Sequence, residues 1–163
     1  MKFTKSPSPR VYIVLLDVRS VYNVASIFRT ANCLGVSNII LAGYTPTPRD
    51  RFGRLRKDFS KVALGAEATL AWQHFPKISD ALSYLEKEKV FLVAVEQAPH
   101  STDYKKVKPQ FPCAFIFGNE VEGVPPDILK AADSIAEIPM HGAKESLNVS
   151  VAVGIAVARM LNR

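Results

Sequence analysis

The chain has 163 residues, of which 48% are hydrophobic, and contains no low-complexity tract, so its composition favours one globular domain (residues 1–163) and excludes a disordered or fibrous protein. No apolar run approaches the roughly 20 residues of a membrane-spanning helix, and the first ten residues lack the apolar centre of a signal peptide; we therefore expect a cytoplasmic protein. Lys and Arg outnumber Asp and Glu by 21 to 15, and the resulting net charge of +6 would attract a polyanion such as RNA or DNA.

The first 42 residues have the pattern of a β-α-β unit. Val11 to Leu16 is a β-branched apolar run that predicts a buried strand, and Asn38 to Ala42 predicts a second one. Between them, Val24 to Leu34 has helical spacing, with Asn23 as the predicted N-cap and Gly35 as the stop. A crossover of this length predicts that the two strands pair in parallel.

The segment from Tyr44 to Lys61 is rich in charge and in helix-breaking residues, and predicts a long exposed loop with a helical turn near Phe52 to Asp58. Its cations either contact phosphate groups of a nucleic acid or are simply solvated, and clustering favours phosphate. The cations are Arg49, Arg51, Arg54, Arg56, Lys57 and Lys61.

The middle of the chain predicts two helices and two strands. Lys61 to Ala68 is a short candidate helix and Thr69 to Trp72 a weak strand, whereas Ile78 to Lys89 has the pattern of an amphipathic surface helix. Val90 to Val95 predicts a buried strand, and Glu96 to Gln110 predicts a polar connection.

Two glycine-bearing polar turns follow the apolar runs Cys113 to Phe117 and Ile135 to Ile138, which predict strands of a parallel sheet. Such turns lie where open α/β sheets bind ligands. Pro125-Pro126 is typical of a helix start. The final run, Leu147 to Leu161, is apolar or small on almost every side, so we expect a helix buried all round, with a partner subunit covering one face.

Several polar residues are candidates for chemistry, but each has a plain structural alternative. Arg29 on the first helix either reaches into water or binds an anion. Glu120, beside Asn119 and Gly118, belongs either to a ligand-binding turn or to a solvated one, and Gly118 and Gly123 would permit close approach of a ligand. Capping of the last helix explains only one of Ser146, Asn148 and Ser150.

The two cysteines, Cys33 and Cys113, lie in apolar or helical runs without a CxxC pair, so we expect two buried free thiols. With three histidines in the chain, we expect no metal site.

Three strings resemble, in order, the motifs of one family. NVASIFRTA (Asn23 to Ala31), FGNEVEGVP (Phe117 to Pro125) and IPMHGAKESLNVSVA (Ile138 to Ala152) are similar to motifs of the SpoU/TrmH class of SPOUT RNA 2′-O-ribose methyltransferases. YTPTP and KVALGAEA are also similar to members of the family, so the resemblance covers nearly the whole chain.

This resemblance implies a parallel-sheet, Rossmann-like α/β domain with a deep C-terminal trefoil knot, S-adenosylmethionine as methyl donor, RNA (tRNA or rRNA) as substrate, and a homodimer. The implied catalytic residues are Asn23, Arg29, Glu120, Ser146 and Asn148. The implied cofactor-binding residues are Ala94, Val95, Gly118, Ile138, Met140 and Leu147. One departure from the family pattern is Ala25, which stands where Gly is usual in the first motif.

Because ten residues precede the first strand, we expect a minimal enzyme that recognises RNA through its dimer surface and the segment Arg49 to Lys61. An arginine is a poor base, so Arg29 is expected to hold a phosphate and stabilise the developing alkoxide while a neighbouring group or water takes the proton. Two alternatives stay open: a non-catalytic RNA-binding module with the same fold, and another nucleotide-binding α/β enzyme.

Overall fold

Seven parallel strands form a single sheet in the computed structural model, which describes residues 9–163. The sheet order is β3-β2-β1-β6-β4-β7-β5, and every pairing is parallel. The α/β class and the parallel pairing of the first two strands are thereby confirmed. The strands are β1 Val11–Leu16, β2 Asn38–Ala42, β3 Ala71–Phe75, β4 Phe91–Val95, β5 Thr102–Asp103, β6 Cys113–Phe117 and β7 Ser134–Glu137.

Helices cover both faces of the sheet, as the near-continuous apolar strands require. Alternation along β1 sends Val11, Ile13 and Leu15 into one core and Tyr12 and Val14 into the other. The first core includes residues of α1, α2, α3 and α6, and the second includes residues of α4 and α5. The helices are α1 Val21–Cys33, α2 Lys57–Ala63, α3 Ala66–Thr69, α4 Ile78–Lys87, α5 Pro126–Ala131 and α6 Val149–Leu161.

Helix α1 begins earlier than predicted, and Asn23 is not its N-cap. Ser20 holds that position with extended backbone, and its hydroxyl accepts a hydrogen bond from the Asn23 N–H at 3.2 Å. Both residue types cap helices well, so sequence does not discriminate between them. The amide side chain of Asn23 is consequently available for other contacts.

The predicted helix from Lys61 to Ala68 is wrong, because two helices occupy this region. Leu64 and Gly65 both have left-handed backbone, with φ of 52° and 88°, and this turn separates α2 from α3. Helix α2 begins at Lys57, inside the segment predicted as a loop, and β3 begins two residues later than predicted. The short strand β5 lies within the predicted polar connection.

The final helix is not buried all round in the single chain. Asn148 is its N-cap, and its side-chain oxygen accepts a hydrogen bond from the Ser150 N–H at 2.9 Å. Val153 and Val157 are fully buried, whereas Val151 is 48% and Ile155 is 38% exposed. An apolar strip of α6 therefore lies open in the isolated chain. No helix within residues 9–163 is long and apolar enough to span a membrane.

The two cysteines differ in their surroundings. Cys113 is a buried free thiol in β6, as predicted, and burial raises its pKa to about 12. Cys33 is exposed at the end of α1, so the prediction of a buried thiol is wrong there.

The sheet order predicts a ligand site near the carboxyl ends of β1 and β6. From β1 the chain proceeds to β2 and β3 on one side, whereas β6, β4 and β7 lie on the other side. The direction in which successive strands are added to the sheet therefore reverses beside β1, and the loops that leave the carboxyl ends of β1 and β6 diverge. Open α/β sheets bind ligands in the crevice formed at this point.

Candidate active site

A cleft of about 480 Å³ lies at the carboxyl ends of β4, β6 and β7. It is lined by apolar side chains, by backbone of the turn after β6 and by the segment that precedes α6. Ala94 is fully buried within β4, in the core that includes residues of α4 and α5, and does not line the cleft. Five of the six predicted cofactor residues line it: Val95, Gly118, Ile138, Met140 and Leu147.

The turn after β6 is folded tightly onto itself. The side-chain oxygen of Asn119 accepts hydrogen bonds from the backbone N–H groups of Val121 at 2.8 Å and Glu122 at 2.6 Å. A Cβ at Gly118 would overlap the backbone of Gly123, which has a φ of 68°. Only glycine fits both positions, and both glycines line the cleft.

Glu96 and Gln97, directly after β4, hold both turns of the cleft. The carboxylate of Glu96 accepts a hydrogen bond from the Val124 N–H at 2.8 Å, and a Cβ at Gly123 would overlap it. The Gln97 side-chain amide donates to the Glu145 carbonyl at 2.8 Å. Sequence reasoning did not select this pair, although polar residues directly after a buried strand were the available signal.

A hydrogen-bond network at the rim joins three distant parts of the chain. The Asn23 amide donates to the Glu120 carboxylate at 3.1 Å, and the Asn148 amide donates to the Asn23 side-chain oxygen at 3.1 Å. The second Glu120 oxygen accepts from the Arg19 backbone N–H at 3.3 Å. The structure therefore brings together Asn23, Glu120 and Asn148, and adds Arg19, which was not predicted.

The remaining two predicted catalytic residues differ in position. Ser146 lines the cleft, and its hydroxyl makes no hydrogen bond with any residue in the range 9–163. Arg29 is exposed on α1 and does not line the cleft of its own chain. It lies about two helical turns after Tyr22, which is 63% exposed, so the two share one face of α1.

The predicted basic segment is an exposed loop as far as Arg56, closed into a hairpin by one β-bridge, and its last part belongs to α2. Arg49 pairs with Leu55 in an antiparallel bridge, and its guanidinium donates to the Gly53 carbonyl at 2.8 Å. Arg56 forms an ion pair with Asp58 at 2.9 Å, and this hydrogen bond lowers the pKa of the Asp58 carboxyl. Four of the five predicted RNA-binding residues are exposed, namely Arg49, Arg51, Arg54 and Lys57, and Arg56 is half-buried.

Across residues 9–163, no three His, Cys, Asp or Glu side chains converge in an arrangement that could hold a metal ion. The fold and the cleft define a parallel-sheet α/β protein with a candidate ligand site at the carboxyl ends of β4, β6 and β7, beside the topological switch point. The profile of the SpoU rRNA Methylase family matches residues 10–158, and the chain belongs to this family.

Curated relatives and solved structures are similar over most of the chain. The 23S rRNA (guanosine-2'-O-)-methyltransferase RlmB of Coxiella burnetii is 31% identical over 153 residues, covering 93% of this chain and 58% of that protein. The RlmB of Salmonella typhi is 30% identical, covering 90% and 58% respectively. This chain thus spans little more than half the length of these relatives.

The crystal structure of an AdoMet-bound rRNA methyltransferase from Sinorhizobium meliloti superimposes with a TM-score of 0.86 at 28% identity. The match covers 97% of this chain and 58% of that one. The parallel α/β fold is therefore that of solved members of the family.

Proposed function

We propose that the protein transfers a methyl group from S-adenosylmethionine to a ribose 2′-hydroxyl of RNA. The observation that carries this proposal is the network that joins Asn23, Glu120 and Asn148 at the rim of the cleft. Relatives named as rRNA guanosine-2'-O-methyltransferases and the AdoMet-bound neighbour support it. Labelling of separate tRNA and rRNA pools distinguishes the two possible substrates.

The cleft fits S-adenosylmethionine by its shape and composition. Val95, Ile138, Met140 and Leu147 provide apolar walls, while the turn from Gly118 to Gly123 contributes backbone and polar groups. The same cleft is also lined by carboxylates, among them Glu96 and Glu120, and a site of this size suits a nucleoside-sized ligand. When bound, the cofactor supplies an electrophilic methyl group.

Residues at the rim would position the ribose. The Ser146 hydroxyl is available as a donor or acceptor, and a carboxylate such as that of Glu120 accepts hydrogen bonds only. Because Asn23 and Arg19 hold both Glu120 oxygens, the carboxylate has a fixed position from which it can accept a hydrogen bond from the 2′-hydroxyl. This assigns the proton-accepting side of the reaction to Glu120 or a water beside it.

Arg29 is assigned to the site through a homodimer. It lies outside the cleft of its own chain, on the face of α1 that carries the exposed Tyr22. Helix α1 packs against α6, whose Val151 and Ile155 are also exposed. We propose a homodimer in which a second copy covers these positions and Arg29 reaches the partner's cleft, where it could hold a phosphate as the alkoxide develops.

Two further features belong to the proposal. The C-terminal trefoil knot remains a prediction from the resemblance, as does a cytoplasmic location.

The non-catalytic alternative keeps the fold without methyl transfer, and the alternative of another nucleotide-binding enzyme predicts affinity for a phosphorylated cofactor. The glycine turns carry no phosphate-binding fingerprint, which favours the methyltransferase.

Calorimetry with S-adenosylhomocysteine, followed by incubation with labelled methyl donor and separate pools of tRNA and rRNA, tests the function. We expect saturable binding and label in alkali-resistant dinucleotides, because a 2′-O-methyl group blocks cleavage of the adjacent linkage. Binding without label in either pool would favour the non-catalytic module. A folded protein that binds no S-adenosylhomocysteine would contradict the proposal.

A further inference from the structure

A second concave site, a groove of about 560 Å³, lies between the basic hairpin and the carboxyl ends of β2 and β3. Its lining combines cationic and aromatic side chains, whereas the charged residues that line the cleft are all glutamates. This combination is typical of surfaces that bind unpaired nucleotides. The lining includes Tyr44, Arg49, Arg51, Phe52, Arg56 and His74.

Phe52 is held in solvent by an ordered turn. The Asp50 carboxylate accepts hydrogen bonds from the Phe52 N–H at 2.8 Å and the Arg54 N–H at 3.0 Å, which fixes the backbone at the tip of the hairpin. The Phe52 side chain is nevertheless 65% exposed. Because Phe52 lines the groove on an ordered backbone, its exposed ring is available to a ligand there.

Two guanidinium groups lie over the Phe52 ring. The Arg51 group is 4.8 Å and the Arg54 group 4.9 Å from the ring centroid. Arg54 is held by Asp50 at 3.0 Å, whereas Arg51 forms no ion pair with any other residue between 9 and 163. Bases of single-stranded RNA stack on aromatic rings and on guanidinium planes, and the free charge of Arg51 suits a phosphate.

Tyr44 connects this groove to the cleft. Its ring is 56% exposed, and its hydroxyl accepts hydrogen bonds from the Asn119 amide at 3.4 Å and the Arg19 side chain at 3.5 Å. Asn119 lines the cleft, and the backbone of Arg19 contacts Glu120. A single side chain therefore spans the boundary between the two sites, so neighbouring nucleotides of one strand could occupy them together.

We infer that the groove binds an unpaired nucleotide adjacent to the one whose ribose enters the cleft, with its base stacked on Phe52 and its phosphate near Arg51. This inference rests on the proposed function for the identity of the neighbouring nucleotide. It makes the hairpin a reader of strand conformation, since a base paired inside a duplex cannot reach Phe52. A patch that only neutralises phosphates would not make this distinction.

The test compares binding of a labelled single-stranded RNA of mixed sequence with binding of the same sequence as a duplex. Phe52→Ala should weaken single-strand binding by about fivefold to a hundredfold, the range expected for loss of one stacked base. Phe52→Tyr keeps the ring and should restore binding. Arg51→Gln should weaken binding, while Lys87→Gln, which removes the same charge from the end of α4, serves as its control.

Three results would overturn the inference. Phe52→Ala could bind the single strand as tightly as the parent protein, or it could lose as much affinity for the duplex as for the single strand. Alternatively, Phe52→Tyr could bind the single strand as weakly as Phe52→Ala. Calorimetry with S-adenosylhomocysteine keeps the proposed function separate, because Phe52→Ala should leave that affinity unchanged. If the parent protein binds no S-adenosylhomocysteine, the proposed function fails while the RNA comparison still decides the stacking site.

Adjacency is tested on an RNA that the labelling assay identifies as a substrate. An abasic residue is placed on one side or the other of the methylated nucleotide. On one of the two sides it should reduce methyl transfer by the parent protein as much as Phe52→Ala reduces transfer to the intact RNA. Phe52→Ala should transfer methyl groups to this abasic RNA almost as fast as to the intact RNA, because both changes remove the same interaction. Independent losses on both sides would overturn the adjacency.

Discussion

Individual glycines determine the shape of the cleft. Gly118 and Gly123 meet at the two ends of the turn after β6, where an added Cβ would overlap backbone or the Glu96 carboxylate. By contrast, a Cβ at Gly142, in the segment before α6, meets nothing within 4 Å. Glycines in neighbouring turns therefore carry very different constraints.

Gly118→Ala should abolish or strongly weaken S-adenosylhomocysteine binding, because the Gly123 backbone must move into the cleft. We also expect a loss of about 1–3 kcal/mol in the free energy of unfolding from the overpacking. Calorimetry and urea unfolding measure the two effects. Gly142→Ala is the matched control and should change neither. Normal ligand affinity in Gly118→Ala would show that the turn is not part of the binding site.

Ser20 and Cys33 show what sequence leaves undetermined at the residue scale. Ser20 caps α1, although Asn23 is an equally good capping type, because the direction in which the chain leaves β1 selects the cap. Cys33 lies in a helix with a buried apolar face, but its position on the opposite face exposes it. Both outcomes depend on where α1 begins and on which of its faces packs on the sheet, and sequence does not determine either to within a few residues.

At the scale of elements, α2 is fixed to α1 by an aromatic pair. The rings of Phe28 and Phe59 are both fully buried, and their centroids are 5.1 Å apart at an interplanar angle of 85°. This edge-to-face contact fixes the helix that directly follows the basic hairpin. The orientation of the groove therefore depends on a core residue that does not line it.

Phe59→Ala should lower the free energy of unfolding by about 3–5 kcal/mol, the usual cost of deleting a buried phenylalanine. Phe59→Leu should cost less because it leaves a smaller cavity. Urea unfolding followed by circular dichroism measures the change. Phe52→Ala removes a ring of the same type from an exposed position and should leave the free energy of unfolding unchanged. An equal effect at both positions would contradict this packing role.

The strands were predictable because β-branched and aromatic runs such as Val11–Leu16 and Cys113–Phe117 end at clear polar breaks. Prediction failed between Lys57 and Phe75, where the left-handed residues Leu64 and Gly65 divide one apparent helix into two. Leucine rarely adopts this conformation, so nothing local announces the break. The two residues of β5 form a strand only because β7 lies beside them.

For the molecule as a whole, the proposed homodimer would bury the open apolar strip of α6. Val151→Asp would place a charge in the proposed interface, and we expect a single-chain mass by light scattering and a loss of methyl transfer. S-adenosylhomocysteine binding by the separated chains would show that the cleft survives. Leu64→Asp, at a 64% exposed apolar residue on another surface, is the control. A dimeric Val151→Asp protein would remove the basis for assigning Arg29 to the partner's cleft.

The site itself was only partly accessible to sequence reasoning. Glu120 bonds Asn23 across 97 positions, and Asn148 bonds Asn23 across 125, so no local pattern links them. The family resemblance selected these three residues, but it did not point to Glu96 or Gln97. Their contacts are with backbone groups of the two turns, and such contacts become visible only when the turns are folded.

Tyr44 has a consequence for how such enzymes diversify. The groove is built on the chain between β2 and α2, whereas the cleft is built on the turns after β4, β6 and β7, and the Tyr44 hydroxyl bridges them. The hairpin residues Arg51 and Phe52 do not line the cleft, so we expect substitutions there to leave S-adenosylhomocysteine binding unchanged. Under the proposed function, the choice of RNA and the methyl transfer would then depend on separate parts of the chain, and new RNA targets could evolve through changes in one exposed hairpin.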